Sequence, residues 1–272
     1  MAGQYIILPG VTAAASADAP RIYMSNADIV ASKITSLRHV VSPHALARDA
    51  VEGVVGRCRN TGLPLVTKGI NKAYLSLSQI GGKAALSIAA VTSGQAALAL
   101  PENSLTPSYT SVLAVNMAAA DIGLRGAGNF LSGMSADDTY LNIMLRWYGA
   151  ESPTTPGMLA ASTTTGQPVN TSGPTVADTW AIVVVDYNND TRRISISLNQ
   201  AKNFISGVKA TDYAPAANSY LAIGYHIGSE SLRSARVGDL YTFSDSLLRT
   251  DLGRLQLSAL VAELKTEYGI AD

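Results

Sequence analysis

Cysteine, and an excess of charge of either sign, are what this sequence lacks most. Its one cysteine, Cys58, excludes a disulfide within the chain and a zinc site built from cysteines. The 20 basic and 20 acidic residues cancel, so no overall field attracts nucleic acid or an anionic membrane. We therefore expect no nucleic-acid partner, and stability must come from packing or from assembly.

Long apolar runs are also missing. The longest stretch of low charge, residues 84–100, is interrupted by serine, threonine, glycine and glutamine, which makes it a poor membrane span. The apolar run at residues 5–8 follows no positive charge and is shorter than the apolar region of a signal peptide. We expect neither membrane insertion nor conventional secretion.

Common catalytic motifs are absent as well. A glycosidase needs two carboxylates that flank the scissile bond, but no predicted central strand has two acidic residues at alternate positions. The three histidines form no HExxH motif, and no GxSxG sequence occurs. We predict that the protein is not an enzyme and has no cofactor, apart from a candidate calcium ion.

A two-residue period dominates the chain after residue 70. Apolar and mostly polar side chains alternate over residues 141–148, as in a half-buried strand. Residues 179–187 form a nearly continuous apolar run, and turn-forming residues separate them from an alternating pattern at 193–198, which predicts a hairpin. Many short strands with turn residues between them indicate an antiparallel two-sheet sandwich. Further strands are predicted at 73–77, 84–90, 96–100, 109–116, 130–134, 157–161, 219–225 and 236–244.

The end of the chain departs from this pattern. Leucines at helical spacing from Leu248 to Tyr268 predict a C-terminal helix that Gly269 ends. We expect this helix to cover part of one sheet.

The start of the chain also differs from the rest. Residues 9–20 are poor in large apolar side chains and are predicted to be an extended arm, and Asn26 is expected to cap a short helix through Leu37. Ser42 and Pro43 are typical of a second helix start. We predict a boundary between an attachment segment, 1–65, and a sandwich domain, 70–272. The second helix is predicted to present an apolar face to the main domain or to another chain, through Ala47, Val51, Val54, Val55 and Cys58.

Three passages carry a resemblance to a known superfamily. Ser108–Met117 alternates aliphatic residues after an aromatic one, Trp180–Leu198 joins a tryptophan-led strand to a return strand, and Arg236–Ile270 joins a strand to a helix. Together they resemble the concanavalin A-like lectin and laminin-G-like domains. The resemblance implies a jelly-roll fold, which occurs in glycan-binding proteins, glycosidases and surface proteins of tailed bacteriophages.

A domain of this kind has two candidate sites in this sequence, one for calcium and one for a glycan. Relatives of this fold often bind calcium at the rim, and Asp137 and Asp138 supply the oxygen ligands that calcium takes, unless they only solvate a turn. A glycan site needs an aromatic face and fixed polar groups. Trp147 and Trp180 are expected to be core anchors rather than sugar platforms. The predicted glycan-contacting residues are Asn142, Arg146, Tyr148 and Tyr225, with the plain solvent-facing surface as the alternative.

Three functional hypotheses follow. The first is a non-enzymatic virion protein of a tailed phage, made in the bacterial cytoplasm, as a capsid decoration, head fibre or tail receptor-binding element. Its first segment would bind other virion proteins, and we expect a homo-oligomer. The second is a soluble module that binds a host surface glycan, and the third is a divergent polysaccharide hydrolase or lyase.

Overall fold

Two antiparallel sheets form the framework of the protein, which we describe from a computed structural model. The structure describes residues 24–88, 95–122, 127–148, 158–161, 169–173, 176–227 and 231–271. Three α-helices lie within these ranges: α1 (Asn26–Ser32), α2 (Ala119–Ile122) and α3 (Asp251–Tyr268). The strands are β1 (Leu37–Val41), β2 (Leu46–Asp49), β3 (Gly53–Arg57), β4 (Pro64–Lys68), β5 (Leu75–Ile80), β6 (Lys83–Ile88), β7 (Ala96–Ala99), β8 (Tyr109–Asn116), β9 (Ala127–Met134), β10 (Tyr140–Tyr148), β11 (Met158–Ala161), β12 (Val169–Ser172), β13 (Trp180–Asn188), β14 (Arg193–Leu198), β15 (Ile205–Val208), β16 (Tyr220–Tyr225) and β17 (Arg236–Phe243).

The strand order confirms the predicted two-sheet architecture. In the described residues one sheet runs β15-β14-β13-β8-β17-β6-β5, with β1 also paired to β17. The other runs β12-β11-β10-β9-β16-β7-β4-β3-β2. We call them the eight-stranded and the nine-stranded sheet. None of the described helices is long and apolar enough to cross a membrane.

The central strand β13 buries both of its faces, as its apolar run predicts. Val183 and Val185 pack in the core between the two sheets. Ile182 and Val184 pack on the opposite face, in a second core beneath α3. Successive side chains of a strand point to opposite faces, so a strand covered on both sides must be apolar throughout.

The C-terminal helix α3 ends at the predicted glycine, but only some of its predicted apolar residues are buried. The Thr250 side chain caps its first turn by accepting from the Gly253 N–H, and Gly269 ends it in the left-handed conformation with a φ of 65°. Leu260 and Leu264 pack against the eight-stranded sheet, together with Tyr268. Other leucines of the predicted pattern, at positions 252 and 255, are exposed.

The helix predicted over residues 42–58 is wrong. After a single 3₁₀ turn at Pro43–Ala45, the chain forms the hairpin β2–β3. Asp49 begins its turn, because its carboxylate accepts from the N–H groups of Val51 and Glu52, and Gly53 follows with a φ of 80°. The Asp49 turn and the two glycines therefore permit a hairpin, although the four-residue spacing also resembles a helix.

The predicted assembly face is consequently not a single face. Ala47 and Val51 are exposed, Val54 is buried in the core between the sheets, and Val55 is half-buried. Ala47 lies opposite Val55 in the β2–β3 ladder. Residues 37–68 as a whole supply strands to both sheets, since β1 pairs with β17 and β4 pairs with β7.

The first helix is shorter than predicted. It ends at Ser32, and the next residues lead into β1. Ser25 rather than Asn26 is its cap: the Ser25 hydroxyl accepts from the Asp28 N–H, and the Asp28 carboxylate accepts from the Ser25 N–H. The arm predicted at residues 9–20 lies outside the described residues.

Candidate ligand-binding site

The residues predicted to contact a glycan lie on two strands of the nine-stranded sheet. Arg146 Nε donates to Asn129 Oδ1 at 3.1 Å, and its guanidinium carbon lies 5.8 Å from the centre of the Tyr148 ring. Arg146 and Tyr148 are therefore adjacent and half-buried on β10. Tyr225 ends β16, with β9 between it and β10, and its N–H donates to Ser231 Oγ at 2.9 Å.

Asn142 is placed by its backbone alone. It pairs with Gly133 of β9, and its side chain lies outside what the structure describes. Trp147 and Trp180 are buried, as predicted for core anchors. Trp147 packs directly over Gly128, where a Cβ atom would lie 2.4 Å from the indole nitrogen.

The predicted calcium residues lie in the turn between β9 and β10. The Asp137 carboxylate accepts from the Ser135 hydroxyl and from the Thr139 N–H, and these bonds lower the pKa of Asp137. Asp138 adopts a left-handed conformation with a φ of 64°. Within the described ranges, no group of three histidine, cysteine, aspartate or glutamate side chains could hold a metal ion.

Asp138 is instead the centre of a polar cluster. Its Oδ1 lies 2.5 Å from Lys68 Nζ and accepts from the Tyr220 hydroxyl at 2.5 Å. Lys68 Nζ also lies 4.5 Å from the centre of the Tyr220 ring, and His226 Nε2 lies 3.9 Å from the same carboxylate oxygen. Lys68 is therefore already paired with one oxygen of this carboxylate.

Burial and hydrogen bonding shift the pKa values of three groups in this cluster. Burial opposes ionisation of Asp138, but the hydrogen bonds from Lys68 and Tyr220 outweigh it and lower its pKa. Burial is the main factor that raises the pKa of Tyr220 and lowers that of His226. Neither ring nitrogen of His226 has a hydrogen-bond partner in the part of the chain described.

An open cleft of about 420 Å³ adjoins the cluster, and we call it the Lys68 cleft. It lies on the outer face of the nine-stranded sheet: Leu65 and Leu98 pack between the sheets, so Val66 and Ala99 project to the other side. Val66 is 45% exposed. The lining residues are Leu63, Pro64, Val66, Lys68, Ala99, Leu100, Pro101, Glu102, Ala136, Asn218 and Tyr220.

The Lys68 cleft combines an apolar wall with polar groups. Val66 on β4 and Leu63, which directly precedes β4, are large apolar side chains that are exposed. Glu102 and Asn218 add hydrogen-bonding groups to those of Lys68. This composition is typical of a small-ligand site, in which apolar contact supplies affinity and a few polar groups fix the orientation.

Sequence reasoning missed this cleft. Its members come from β4, β7, β16 and neighbouring loops, and β4 crosses residue 65, the predicted end of the attachment segment. No local motif joins Lys68 to Tyr220, so only the strand order brings them together.

Comparison with solved structures places the fold among known proteins. A sialidase from Trypanosoma rangeli, solved with sialic acid, matches 88% of this chain with a TM-score of 0.55 and 13% identity. Domain 4 of AbnA, a GH43 extracellular arabinanase from Geobacillus stearothermophilus solved with arabinotriose, matches 83% with a TM-score of 0.55 and 14% identity. The chain covers 34% of the sialidase but 98% of the arabinanase domain. The sequence matches no family model and no curated protein.

These comparisons overturn the prediction of a non-enzymatic virion protein from a tailed phage. The structures that the chain resembles are a sialidase and a domain of an arabinanase, and neither is a particle protein. The chain is a two-sheet antiparallel β-sandwich that is similar in fold to parts of these structures.

Proposed function

We propose that the protein is a carbohydrate-binding sandwich of the concanavalin A-like type, and that it binds a neutral oligosaccharide in the Lys68 cleft. The observation that carries the proposal is the cleft itself, which sets an apolar wall beside the fixed polar groups of Lys68, Asp138 and Tyr220. The arabinanase domain that the chain covers almost completely was solved with an oligosaccharide, and this supports the same ligand class.

Asp138, which adjoins the cleft that Glu102 also lines, is unsuited to the general-acid role in hydrolysis. A glycosidase general acid needs a raised pKa so that it holds its proton near neutral pH. Asp138 has a lowered pKa, because Lys68 and Tyr220 hydrogen-bond to its ionised form. It therefore serves to hold Lys68 and Tyr220 in position, rather than to protonate a leaving group.

The test is binding of the full chain to arabino-, xylo-, manno- and cello-oligosaccharides, first on an array and then by calorimetry. Val66→Arg should reduce affinity about tenfold or more, because a long charged side chain would fill the cleft and remove its apolar wall. Val51→Arg is the matched control, since Val51 is 77% exposed in the β2–β3 turn of the same sheet. This control variant should bind like the unchanged protein.

Three results would contradict the proposal. The unchanged chain could bind none of these sugars, or Val66→Arg could bind as well as Val51→Arg. Release of new reducing ends from any bound oligosaccharide would make the protein a hydrolase instead.

A further inference from the structure

A second cleft, also of about 420 Å³, lies on the eight-stranded sheet. Residues of β13, β14 and β15 form one part of it, and residues from Ser246 to Arg254, at the start of α3, form another. Four of its lining side chains are basic, and we call it the cationic cleft. These four are Arg193, Lys202, Arg249 and Arg254.

Three of these cations are available to a ligand. Arg249 is already paired, with Asp190 at 2.5 Å and with Asp245 at 3.4 Å. Arg193, Lys202 and Arg254 are exposed and form no ion pair with any other residue that the structure describes. Three cations without an ion pair among the described residues therefore line one small cleft, on a chain whose net charge is zero.

The carboxylate beneath the cleft forms no ion pair with these three described cations. Asp186 is 1% exposed, and its two oxygens accept from Thr110 Oγ1 at 2.6 Å and from Ser246 Oγ at 2.8 Å. Among the described residues that line the cleft, it is the one carboxylate. Neutral donors thus bind both of its oxygens, whereas the three cations are exposed.

The remaining lining groups suit a sugar. Phe204 packs partly against the core beneath α3 and keeps part of its ring accessible in the cleft. The hydroxyls of Ser195 and Ser206 lie 2.8 Å apart on neighbouring strands, in register across the β14–β15 ladder. An aromatic face packs on sugar C–H groups, and hydroxyl side chains bind sugar hydroxyls.

We propose that the cationic cleft binds a carboxylate-bearing sugar unit of an acidic polysaccharide. Arg193 and Arg254 pair with the sugar carboxylate, because a planar guanidinium matches a carboxylate with two parallel hydrogen bonds. Phe204 contacts the ring of the sugar. This second site goes beyond the neutral-sugar binding proposed for the Lys68 cleft, which lies on the other sheet.

The size of the cleft favours a saccharide over a nucleic acid. Its volume lies within the roughly 300–1,000 Å³ typical of sites for small ligands. Binding of single-stranded nucleic acid needs a long basic groove with aromatic residues spaced along it, and this cleft has a single aromatic among its described lining residues.

The experiment is calorimetric titration of the full chain with oligogalacturonate at low salt. Arg193→Gln/Arg254→Gln should weaken binding about tenfold or more, since one charge-assisted hydrogen bond contributes that much. Lys33→Gln is the matched control, because Lys33 is an exposed cation at the end of α1 and is not part of the cleft. Both substituted arginines are exposed, so the fold should tolerate their replacement.

The proposal is overturned if the double variant binds oligogalacturonate like Lys33→Gln, or if the carboxyl-reduced, neutral oligomer binds equally well. Stronger binding of single-stranded DNA than of oligogalacturonate would make the ligand a nucleic acid. Val66→Arg should keep its affinity for oligogalacturonate, which separates a failure at this site from a failure at the Lys68 cleft.

Discussion

At the scale of single residues, buried ionisable groups are the most unusual feature of this protein. Asp186 is the clearest case, because burial raises its pKa from 3.8 to about 6, although hydrogen bonds from Thr110 and Ser246 act in the opposite direction. His39 shows the complementary effect: burial, and then the charge of Arg38, lower its pKa to about 4. Burial therefore favours the neutral form of each group, and ionisation of either one destabilises the folded state.

Asp186 should make the folded state less stable as the pH rises. Its pKa is higher in the folded than in the unfolded chain, so its contribution is fully present below pH 3.8 and is lost as the pH passes about 6. Replacing it in Asp186→Asn removes this titration, and the shift corresponds to about 3 kcal/mol. Urea unfolding from pH 4 to pH 7 should show the variant gaining stability relative to the unchanged protein.

Comparing the two proteins at each pH cancels the other titrations. His39 acts in the opposite direction, since its lowered pKa costs stability as the pH falls below 6.5, but it is present in both. A stability difference between the proteins that stays constant from pH 4 to pH 7 would show that the Asp186 carboxyl titrates normally.

At the scale of elements, one tyrosine fixes the end of α3 to the sheet. The Tyr268 hydroxyl accepts from the Asp239 N–H at 2.8 Å and donates to Asp239 Oδ2 at 2.8 Å. Gly238 permits this approach, because a Cβ there would lie 2.3 Å from the same hydroxyl. The ring also contacts Trp180, with 4.7 Å between ring centres. The last turn of the helix is thus held by polar and aromatic contacts together.

Tyr268→Phe should destabilise the protein by about 1–3 kcal/mol, because it leaves a buried N–H and a buried carboxylate of Asp239 without this partner. The measurement is the midpoint of urea unfolding. Tyr74→Phe provides the control, since Tyr74 is 37% exposed and its loss of a hydroxyl should have little effect. Equal midpoints for the two variants would mean that packing alone positions the helix.

At the scale of the whole molecule, the first described strands are part of the sandwich rather than an appendage. β1 pairs with residues 240–243 of β17, and β4 pairs with residues 97–99 of β7. Leu65 of β4 and Val54 of β3 are buried in the core between the sheets. The α1 helix contacts α3 through the second core, which also includes Ala27 and Ala31.

A chain that begins at residue 69 should therefore lose its cooperative unfolding transition. The truncation would expose the edge of β7. It would also leave cavities where Val54 and Leu65 pack, and loss of a large buried side chain lowers the free energy of unfolding by about 2–5 kcal/mol. Near-UV circular dichroism and urea unfolding would measure the effect against the full chain. An unchanged unfolding midpoint would restore the picture of a separate attachment segment.

The sequence by itself determined the elements whose signals are local. The β13–β14 hairpin follows from an apolar run, a cluster of turn residues and an alternating strand, all within residues 179–198. The α3 helix follows from its leucine spacing and from Gly269 at its end. Together with the number of short strands, these patterns were sufficient to predict a two-sheet sandwich with a C-terminal helix.

Only the tertiary structure decided where the clefts are and what residues 37–68 form. A four-residue apolar spacing and two glycines are compatible with either a helix or a hairpin, and pairing with β4 and packing in the core selected the hairpin. Lys68, Asp138 and Tyr220 meet because β4, β7, β16 and β9 are neighbours in the sheet. Strand order depends on burial summed over the whole chain, so no short stretch of sequence encodes it.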